Sequence, residues 1–367
     1  MSSVENDVEF VAPPGRVTIK DVARASGVSV PTVSKVVNGR DGVASATSQR
    51  VLAIIDELGY ETSLVASSLR RSRTNVIGIL VTEFEPFSAE LLQGISSAAT
   101  GTGYELLAYA GLVGAETQPG WERRSLSRLG GTLIDGAIVV TPTTLMSKLS
   151  IPVISIDPHT GPEGHAAIDS DNVGGARAAT EHLIGLGHRR IAHVRGRTGL
   201  ASAELRERGY RQALDEAGIP FDPALVQVGG YQTALTTDAA FRLLTTRDRP
   251  TAVFAANDSS AIGVLEVAHR LGMRVPDDLS VVGFDDIPQA ANAKPPLTTV
   301  AQPLHDLGAR ALELLLQLLD GKAIPQHVQL PASLVVRAST GPVPTSPSAA
   351  ASSPGPARQP RTGAGAS

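Results

Sequence analysis

From Asn75 onward, short apolar runs alternate with helix-like stretches, and no other feature limits the possible folds of this chain as strongly. The runs Val76–Val81, Tyr104–Ala108, Ala137–Val140, Val153–Ile156, Ile191–Val194, Ala252–Ala255 and Ser280–Val282 are apolar at successive positions, as strands buried on both faces are. Helical patterns lie between most of them, at Ser88–Thr100, Arg123–Leu129, Gly175–Leu186, Ala203–Ala217, Thr236–Thr245 and Ser259–Leu271. A repeated strand–helix–strand order predicts parallel sheet covered by helices on both faces. Two sheets are expected, because ten or more strands in one twisted sheet are uncommon, with the second half opening at Arg189 to Val194.

The segment before Asn75 has a different rhythm. Thr18-Ile-Lys-Asp21 has capping-box spacing and opens a helix that stops near Ser26-Gly27. A second helix runs from about Val30 to Asn38 with Ser29 as N-cap, and a third spans roughly Ser45 to Leu58. Helix, tight turn and short second helix make a helix-turn-helix, whose second helix fits the major groove of DNA. Thr18, Ser29, Thr32, Ser34 and Asn38 are placed to bind phosphates, and Lys35 to reach a guanine; an ordinary three-helix bundle gives the same spacing. Charge favours nucleic acid. The whole chain carries −4, yet Arg16 to Thr74 holds nine basic and five acidic residues. Asn75 to Thr340 carries −7, so a basic module precedes an acidic body.

Ligands of open α/β sheets bind at the carboxyl ends of the strands. Asn257-Asp258 follows one expected strand and Phe284-Asp285-Asp286 another. Arg206 lies in an expected helix, and Tyr231 follows the run Val226–Gly230. An arginine, an amide and a carboxylate around an aromatic plate suit a polyol: planar groups pair with adjacent hydroxyls and the ring stacks on C–H faces. Either acidic pair also reads as a helix cap or a turn. Glu83, Phe84, Phe87, Trp121 and Asp157 are further pocket candidates.

Val17-Thr-Ile-Lys-Asp-Val-Ala-Arg-Ala-Ser-Gly-Val-Ser29, Thr32-Val-Ser-Lys-Val-Val-Asn38 and Leu58-Gly-Tyr60 resemble the start of the lactose/galactose-repressor (LacI/GalR) family. Ala256-Asn-Asp258, Val281-Val-Gly-Phe-Asp-Asp286 and Pro296-Leu-Thr-Thr299 resemble its effector domain, so the likeness covers about residues 17 to 338. The resemblance implies a helix-turn-helix dimer on a pseudo-palindromic double-stranded operator, with base-reading positions at Val30, Pro31 and Lys35. It implies a hinge helix formed on DNA, with Ala66 and Leu69 as minor-groove wedge and Arg70, Arg71 and Arg73 near phosphates. Thr62-Ser63 stands where relatives carry Pro-Asn, and Ala44 where they carry a hydroxylated residue, a cap Ser45 is expected to supply. In the effector domain the resemblance assigns ligand contact to Arg206, Asn257 and Asp285; Tyr231, Phe284 and Phe87 join them as candidates. The high Ala, Arg and Gly content resembles actinobacterial carbohydrate-utilisation members.

The expected organisation is a loose segment 1–15, a helix-turn-helix 16–60, a hinge 61–74, an α/β effector and dimerisation domain 75–340, and a disordered tail 341–367. Two Rossmann-like subdomains of periplasmic-binding-protein type are expected, an N-subdomain at about 75–187 and 302–320 and a C-subdomain at about 189–300 and 321–338. The Leu-rich stretch Leu304–Leu319 is expected in the N-subdomain core; no leucine heptad follows Leu330, which points to a homodimer. Zero cysteine excludes disulfides, thiolate metal sites and cysteine nucleophiles. No Gly-x-Gly-x-x-Gly or Walker loop and no His-Glu-x-x-His is present, so no catalytic residue, metal or cofactor is expected. A polar, acidic start and the lack of any 18-residue apolar run point to a cytoplasmic protein with no membrane association. A repressor of carbohydrate-utilisation genes under control of a mono- or oligosaccharide is the leading expectation; a transport-type sugar-binding protein without a DNA role is the alternative.

Overall fold

The computed structural model describes residues 17–37, 40–60, 73–111, 120–146, 149–162, 164–231 and 233–344. The chain divides into two compact units, broadly up to Thr74 and from Asn75 onward.

The first unit holds three helices, α1 (Ile19–Ser26), α2 (Val30–Val37) and α3 (Ser45–Leu58). Asp21 closes the start of α1: its carboxylate accepts from the Thr18 amide at 3.0 Å and the Thr18 hydroxyl at 2.6 Å. These bonds hold the Asp21 carboxyl below the usual carboxylate range. Gly27 ends α1 at φ 67°, a left-handed turn that glycine adopts without strain. Ser29 accepts from the Thr32 amide at 3.3 Å, as an N-cap of α2 should. The expected cap of α3 is not formed. Ala44, not Ser45, is its N-cap residue; it has no side-chain acceptor, and Ser45 is already helical. Val22, Ala23, Val33 and Val51 form the small buried core.

The second unit contains two six-stranded sheets. The first uses β1 (Val76–Val81), β2 (Glu105–Ala110), β3 (Gly136–Val140), β4 (Val153–Ile156), β5 (Ala166–Ser170) and β11 (His327–Leu330), in the order β11-β5-β4-β3-β1-β2. The second uses β6 (Ile191–Arg195), β7 (Val226–Val228), β8 (Ala252–Ala255), β9 (Ser280–Asp285), β10 (Thr298–Ala301) and β12 (Ser333–Val335), in the order β12-β10-β9-β8-β6-β7. All pairs in the first sheet are parallel, and only β12 runs antiparallel in the second. Read from β2 and from β7, both sheets repeat one strand order, with the last strand parallel in the first sheet and antiparallel in the second.

Helices α4 (Pro86–Ala99), α5 (Trp121–Leu129), α6 (Asn172–Gly185), α7 (Ala201–Glu216), α8 (Thr233–Leu244), α9 (Asp258–Arg270), α10 (Pro288–Asn292) and α11 (Leu304–Leu319) complete the unit. Leu304, Leu307, Ala311, Leu312, Leu314 and Leu315 of α11 join Ile77, Ile79, Ile138 and Ile154 in the first core, where the Leu-rich stretch was expected.

Two subdomain boundaries differ from expectation. Ala176, Ala179 and Leu183 of α6 pack with Ile191, Tyr210, Phe254 and Phe284, so the second half begins at Asn172 and not after residue 187. Gly209 of α7 lets the two helices lie close together: a Cβ there would meet the Val173 carbonyl of α6 at 2.3 Å. Secondly, β11 pairs with β5, so 327–330 belongs to the first half and not to a C-subdomain segment 321–338. The chain therefore crosses between the sheets before α6, after β10, and between β11 and β12. Among the described residues no helix is long and apolar enough to cross a membrane.

Candidate functional site

Thr18, Ser29, Val30, Pro31 and Lys35 of the helical unit are exposed, while Thr32 and Ser34 are half-buried. Val30 and Pro31 open α2 and Lys35 follows on its last turn. In a helix-turn-helix the N-terminal residues of the second helix face base edges in a major groove, the positions Val30 and Pro31 occupy. The Thr18 hydroxyl is engaged with Asp21, and those of Ser29 and Thr32 lie 2.9 Å apart. Asn38, Ala66, Leu69, Arg70 and Thr62-Ser63 lie outside the described residues.

In the α/β unit a cavity opens where strand ends of both sheets meet. Glu85, Phe87, Thr141, Asp157 and His159 line it from the first half, and Ser202, Arg206, Tyr231, Asn257, Ser259, Asp285 and Ile287 from the second. The sheets dictate this convergence. Thr141 directly follows β3, Asp157 follows β4, Asn257 lies two residues past β8, and Asp285 ends β9. Among the described residues six non-glycine residues have positive φ, namely Asn75, Thr141, Asp157, Tyr231, Asp285 and Asp286, and four of them line the cavity. Each left-handed residue costs about 1–3 kcal/mol, and such strain gathers where function needs a side chain aimed against local preference.

Asp285 and Arg206 form the centre. Their side chains are buried, with Arg206 Nη1 3.4 Å from Asp285 Oδ1. Arg206 also donates from Nε to Asn172 at 2.8 Å and from Nη1 to the Ala256 carbonyl. Its guanidinium lies over the Phe284 ring at 3.8 Å from the centroid. Among the described residues Nη2 makes no hydrogen bond, which leaves it as a donor for a ligand. Burial pushes the Asp285 carboxyl up to about 7, against the pull of Arg206 and of a 2.7 Å bond from Gln302 Nε2. Gln302 in turn accepts from Ser170 at the end of β5, so this carboxylate is tied to both sheets. Asp258 holds the loop beneath: it accepts from Thr299 at 2.5 Å and from the Ile287 amide at 2.9 Å. A Cβ at Gly283 would lie 2.2 Å from that carboxylate, so only glycine leaves room for it there. Asp286 is held by Arg337 at 2.6 Å.

The remaining candidates divide clearly. Tyr231 lines the cavity with its hydroxyl 3.3 Å from Ser202 and its ring pressed over Gly196, where a Cβ would meet it at 2.2 Å. Asn257 caps α9 through Oδ1 to the Ser260 amide at 2.9 Å, which leaves its amide nitrogen as a donor. Phe87 and Asp157 line the cavity. Phe284 does not. Strand alternation turns it away from Asp285's side, and it is fully buried as the plate beneath Arg206. Trp121 packs inside as the first residue of α5, Phe84 is exposed without lining this cavity, and Glu83 lines an adjoining one.

Glu85, Thr141, His159, Ser202, Ser259 and Ile287 escaped the sequence reading. The strand-end rule, applied to the second half alone, finds Thr141 and the Asp157–His159 loop when applied equally to the first. Burial lowers the His159 pKa, which keeps the ring neutral at pH 7. The wall then carries Glu85, Asp157 and Asp285 against Arg206, a surface rich in acceptors and unsuited to an anion. Among the described residues no group of His, Cys, Asp and Glu is arranged to hold a metal ion.

Residues 18–63 match the family model described as bacterial regulatory proteins, lacI family, and residues 180–340 match that of a periplasmic binding protein-like domain. The chain is 35% identical over 328 residues to the ribose operon repressor of Halalkalibacterium halodurans, across 88% of this chain and 97% of that protein. Among solved structures, the lac repressor dimer bound to operator and the anti-inducer ONPF superposes with TM-score 0.73 at 28% identity, covering 89% of this chain and 100% of that one. The transcriptional regulator CelR–cellobiose complex superposes with TM-score 0.65 at 33% identity, covering 88% and 100%.

Proposed function

The chain belongs to the lacI family of bacterial regulatory proteins, a DNA-binding transcriptional regulator under effector control, and we propose that its effector is a neutral carbohydrate governing genes of carbohydrate use. The observation that carries this reading is the buried Arg206–Asp285 pair at the strand ends, facing a cavity whose other polar groups are mostly acceptors. Adjacent hydroxyls of a sugar donate to Asp285 and Asp157 and accept from Arg206 Nη2 and the Asn257 amide, while Tyr231 and Phe87 cover the C–H faces. A phosphorylated ligand would meet Glu85, Asp157 and Asp285 with only Arg206 in compensation, and Arg206 is already paired.

The protein acts as a homodimeric repressor in the cytoplasm. Thr18, Ser29, Thr32, Ser34 and Asn38 position the phosphates of a double-stranded operator, and Val30, Pro31 and Lys35 read its bases. Ala66, Leu69 and Arg70 serve the hinge. Its relatives are repressors and not enzymes, and we assign it no catalytic activity. A transport-type sugar-binding protein has no use for the helical unit.

A thermal-shift panel of mono- and oligosaccharides, run beside operator binding, tests the reading. A sugar at 100 times its dissociation constant adds about 2.7 kcal/mol of stability. The same sugar should change operator affinity, and the sign of that change assigns it as inducer or corepressor. A panel in which no sugar moves either quantity removes the carbohydrate reading.

A further inference from the structure

We propose that Gln302 is a positioning residue for the Arg206–Asp285 pair, and that a closed ring of buried groups running through it makes the crossings between the two halves part of the effector site. The proposal rests on the reading that this pair holds the effector. Asp285 Oδ1 accepts from Gln302 Nε2 at 2.7 Å, and Gln302 Oε1 accepts from the Ser170 hydroxyl. The Ser170 carbonyl accepts from Asn172 Nδ2 at 3.2 Å, and Asn172 Oδ1 accepts from Arg206 Nε at 2.8 Å. Arg206 Nη1 lies 3.4 Å from Asp285 Oδ1, which closes the ring. All five residues are buried, and only Arg206 and Asp285 of the five line the cavity. In so dry a network each member fixes the next.

The place of the ring in the fold gives it a role beyond packing. Ser170 ends β5 in the first sheet and Asn172 opens α6 in the second half, so one crossing lies between these two members. Gln302 directly follows β10 and is itself at the second crossing. One backbone bond joins the third: the Asp171 amide donates to the carbonyl of Leu330, the last residue of β11, at 2.9 Å. Gln302 also holds Asp285 through its main chain, its amide donating to the carbonyl of that left-handed residue, φ 111°, at 3.3 Å. The side-chain amide of Gln302 has one stable orientation here. Its NH2 meets a carboxylate and its oxygen meets a hydroxyl; turned over, the oxygen would face the ionised Asp285. Oδ1 of Asp285 is thus engaged within the protein, and among the described residues Oδ2 takes no hydrogen bond. A shift of one half against the other moves Ser170 relative to Asp285 and turns or stretches the amide that spans them. A ligand bonded to Oδ2 loads the same amide from the cavity side.

Melting of the full-length protein from pH 4 to 9 without ligand tests this, each chain being paired with the same chain carrying Asp285→Asn. The stability difference within a pair falls as pH rises and levels off above the pH at which the folded carboxyl titrates. Gln302 donates to the ionised form, so Gln302→Leu should move the levelling point up by about one pH unit, the worth of one charge-assisted hydrogen bond. Ser170→Ala removes one oxygen that does not touch Asp285, and should move it the same way by less, because Gln302 loses the donor that fixes its amide. Arg206, Asp258, Tyr231, Asp157, Glu85 and His159, the other groups around this carboxyl, are unchanged in both variants. A role in packing alone lowers the melting temperature at every pH and leaves the levelling point where it is. With the sugar found by the panel above, Gln302→Leu should bind about tenfold more weakly, though the residue does not line the cavity. A levelling point unmoved in both variants overturns the proposal. So does sugar affinity that Asp285→Asn abolishes and Gln302→Leu leaves intact. A panel silent on every sugar removes the carbohydrate reading alone, and the levelling point still decides whether Gln302 positions Asp285.

Discussion

In the helical unit the described side chains assigned to DNA lie between Thr18 and Lys35, on or beside two eight-residue helices, and most are exposed. In the α/β unit the groups around the cavity run from Glu85 to Ile287, and its central pair is buried. The first arrangement needs only caps and turns within a few residues of each other. The second needs two sheets to be built before any two of its members meet. Stability follows the same division. Among the described residues four buried side chains form the core of the helical unit, whereas at least three larger clusters lie in the α/β unit. A surface change in the helical unit should therefore alter recognition, and a change at the cavity should alter both ligand response and folding.

The strongest way to break this division is to remove one side of it. A chain beginning at Asn75 should lose specific operator binding altogether while keeping its sugar affinity. The full-length protein should lose operator affinity steeply with added salt, as counterions released from phosphates are put back. A shortened chain that still shifts an operator fragment would mean that the acidic α/β unit binds DNA itself.

Next in size are changes at Arg206 and Asp285. Asp285→Asn keeps the shape but removes the charge, and should cost about 1.5–3 kcal/mol of sugar affinity for each charged hydrogen bond lost, about 10- to 100-fold. Operator affinity without sugar should change little, so the repressor would no longer respond in cells. Arg206→Ala should add a loss of about 3–5 kcal/mol in stability, because it leaves a buried carboxylate without its partner. Calorimetry and melting on the two variants separate these effects; undiminished sugar binding in both would take the pair out of the site.

How much of each unit is legible in the sequence follows from the same contrast. Thr18 with Asp21, Ser29 with Thr32, and Gly27 are local signals, and each reads correctly because the bond partner is a few residues away. The strands β5, β10, β11 and β12 are not legible in the sequence, and β7 shows only as the run Val226–Gly230. Ala166–Ser170, Thr298–Ala301 and His327–Leu330 each include two polar residues, and Val226–Val228 and Ser333–Val335 are only three residues long. The α6 boundary failed because its partners Tyr210, Phe254 and Phe284 lie far along the chain. The strand-end rule and the resemblance both point to Arg206 and to the Phe284–Asp286 segment, and the structure brings Arg206 and Asp285 to the cavity, but neither signal tells which face of the strand Phe284 takes. His159 had no motif; only the end of β4 brings it to the cavity.

A smaller effect sharpens the comparison through pH. Asp285 is raised to about 7 in the folded chain against an ordinary 3.8. The folded state thus holds this proton more tightly than the unfolded state. Its contribution to stability is present in acid and is lost as pH rises from about 4 through about 7. Sugar hydroxyls donate to the ionised form, so sugar affinity should rise about tenfold between pH 6 and 8. Residues 17–60 contain no histidine, and operator affinity without sugar should stay comparatively flat across that window. A sugar affinity that does not vary between pH 6 and 8 would mean that Asp285 is ionised throughout.

The smallest expected effect tests whether the helical unit is as marginal as its four-residue core implies. Ala44 is the N-cap of α3, extended at φ −60° and ψ 140°, and it offers no side-chain acceptor to the first turn. Its carbonyl accepts from Thr47 at 2.9 Å and Ser48 at 3.0 Å, so the backbone is already in capping geometry and only the oxygen is missing. Ala44→Ser supplies that oxygen at an exposed position, where it displaces nothing. The substitution should add about 0.5–2 kcal/mol to the helical unit. In a unit with so small a core this is a large fraction of the total, whereas the α/β unit should be unaffected. Amide hydrogen exchange distinguishes the two, since local opening is measured for each region separately. Protection should rise in α1, α2 and α3 together, because Val22, Val33 and Val51 share one core, and stay constant in β1, β3, β8 and β9. Protection gained in α3 alone would show that its first turn frays independently of that core; no gain at all would mean that Ser45 or Thr47 already satisfies the turn in solution.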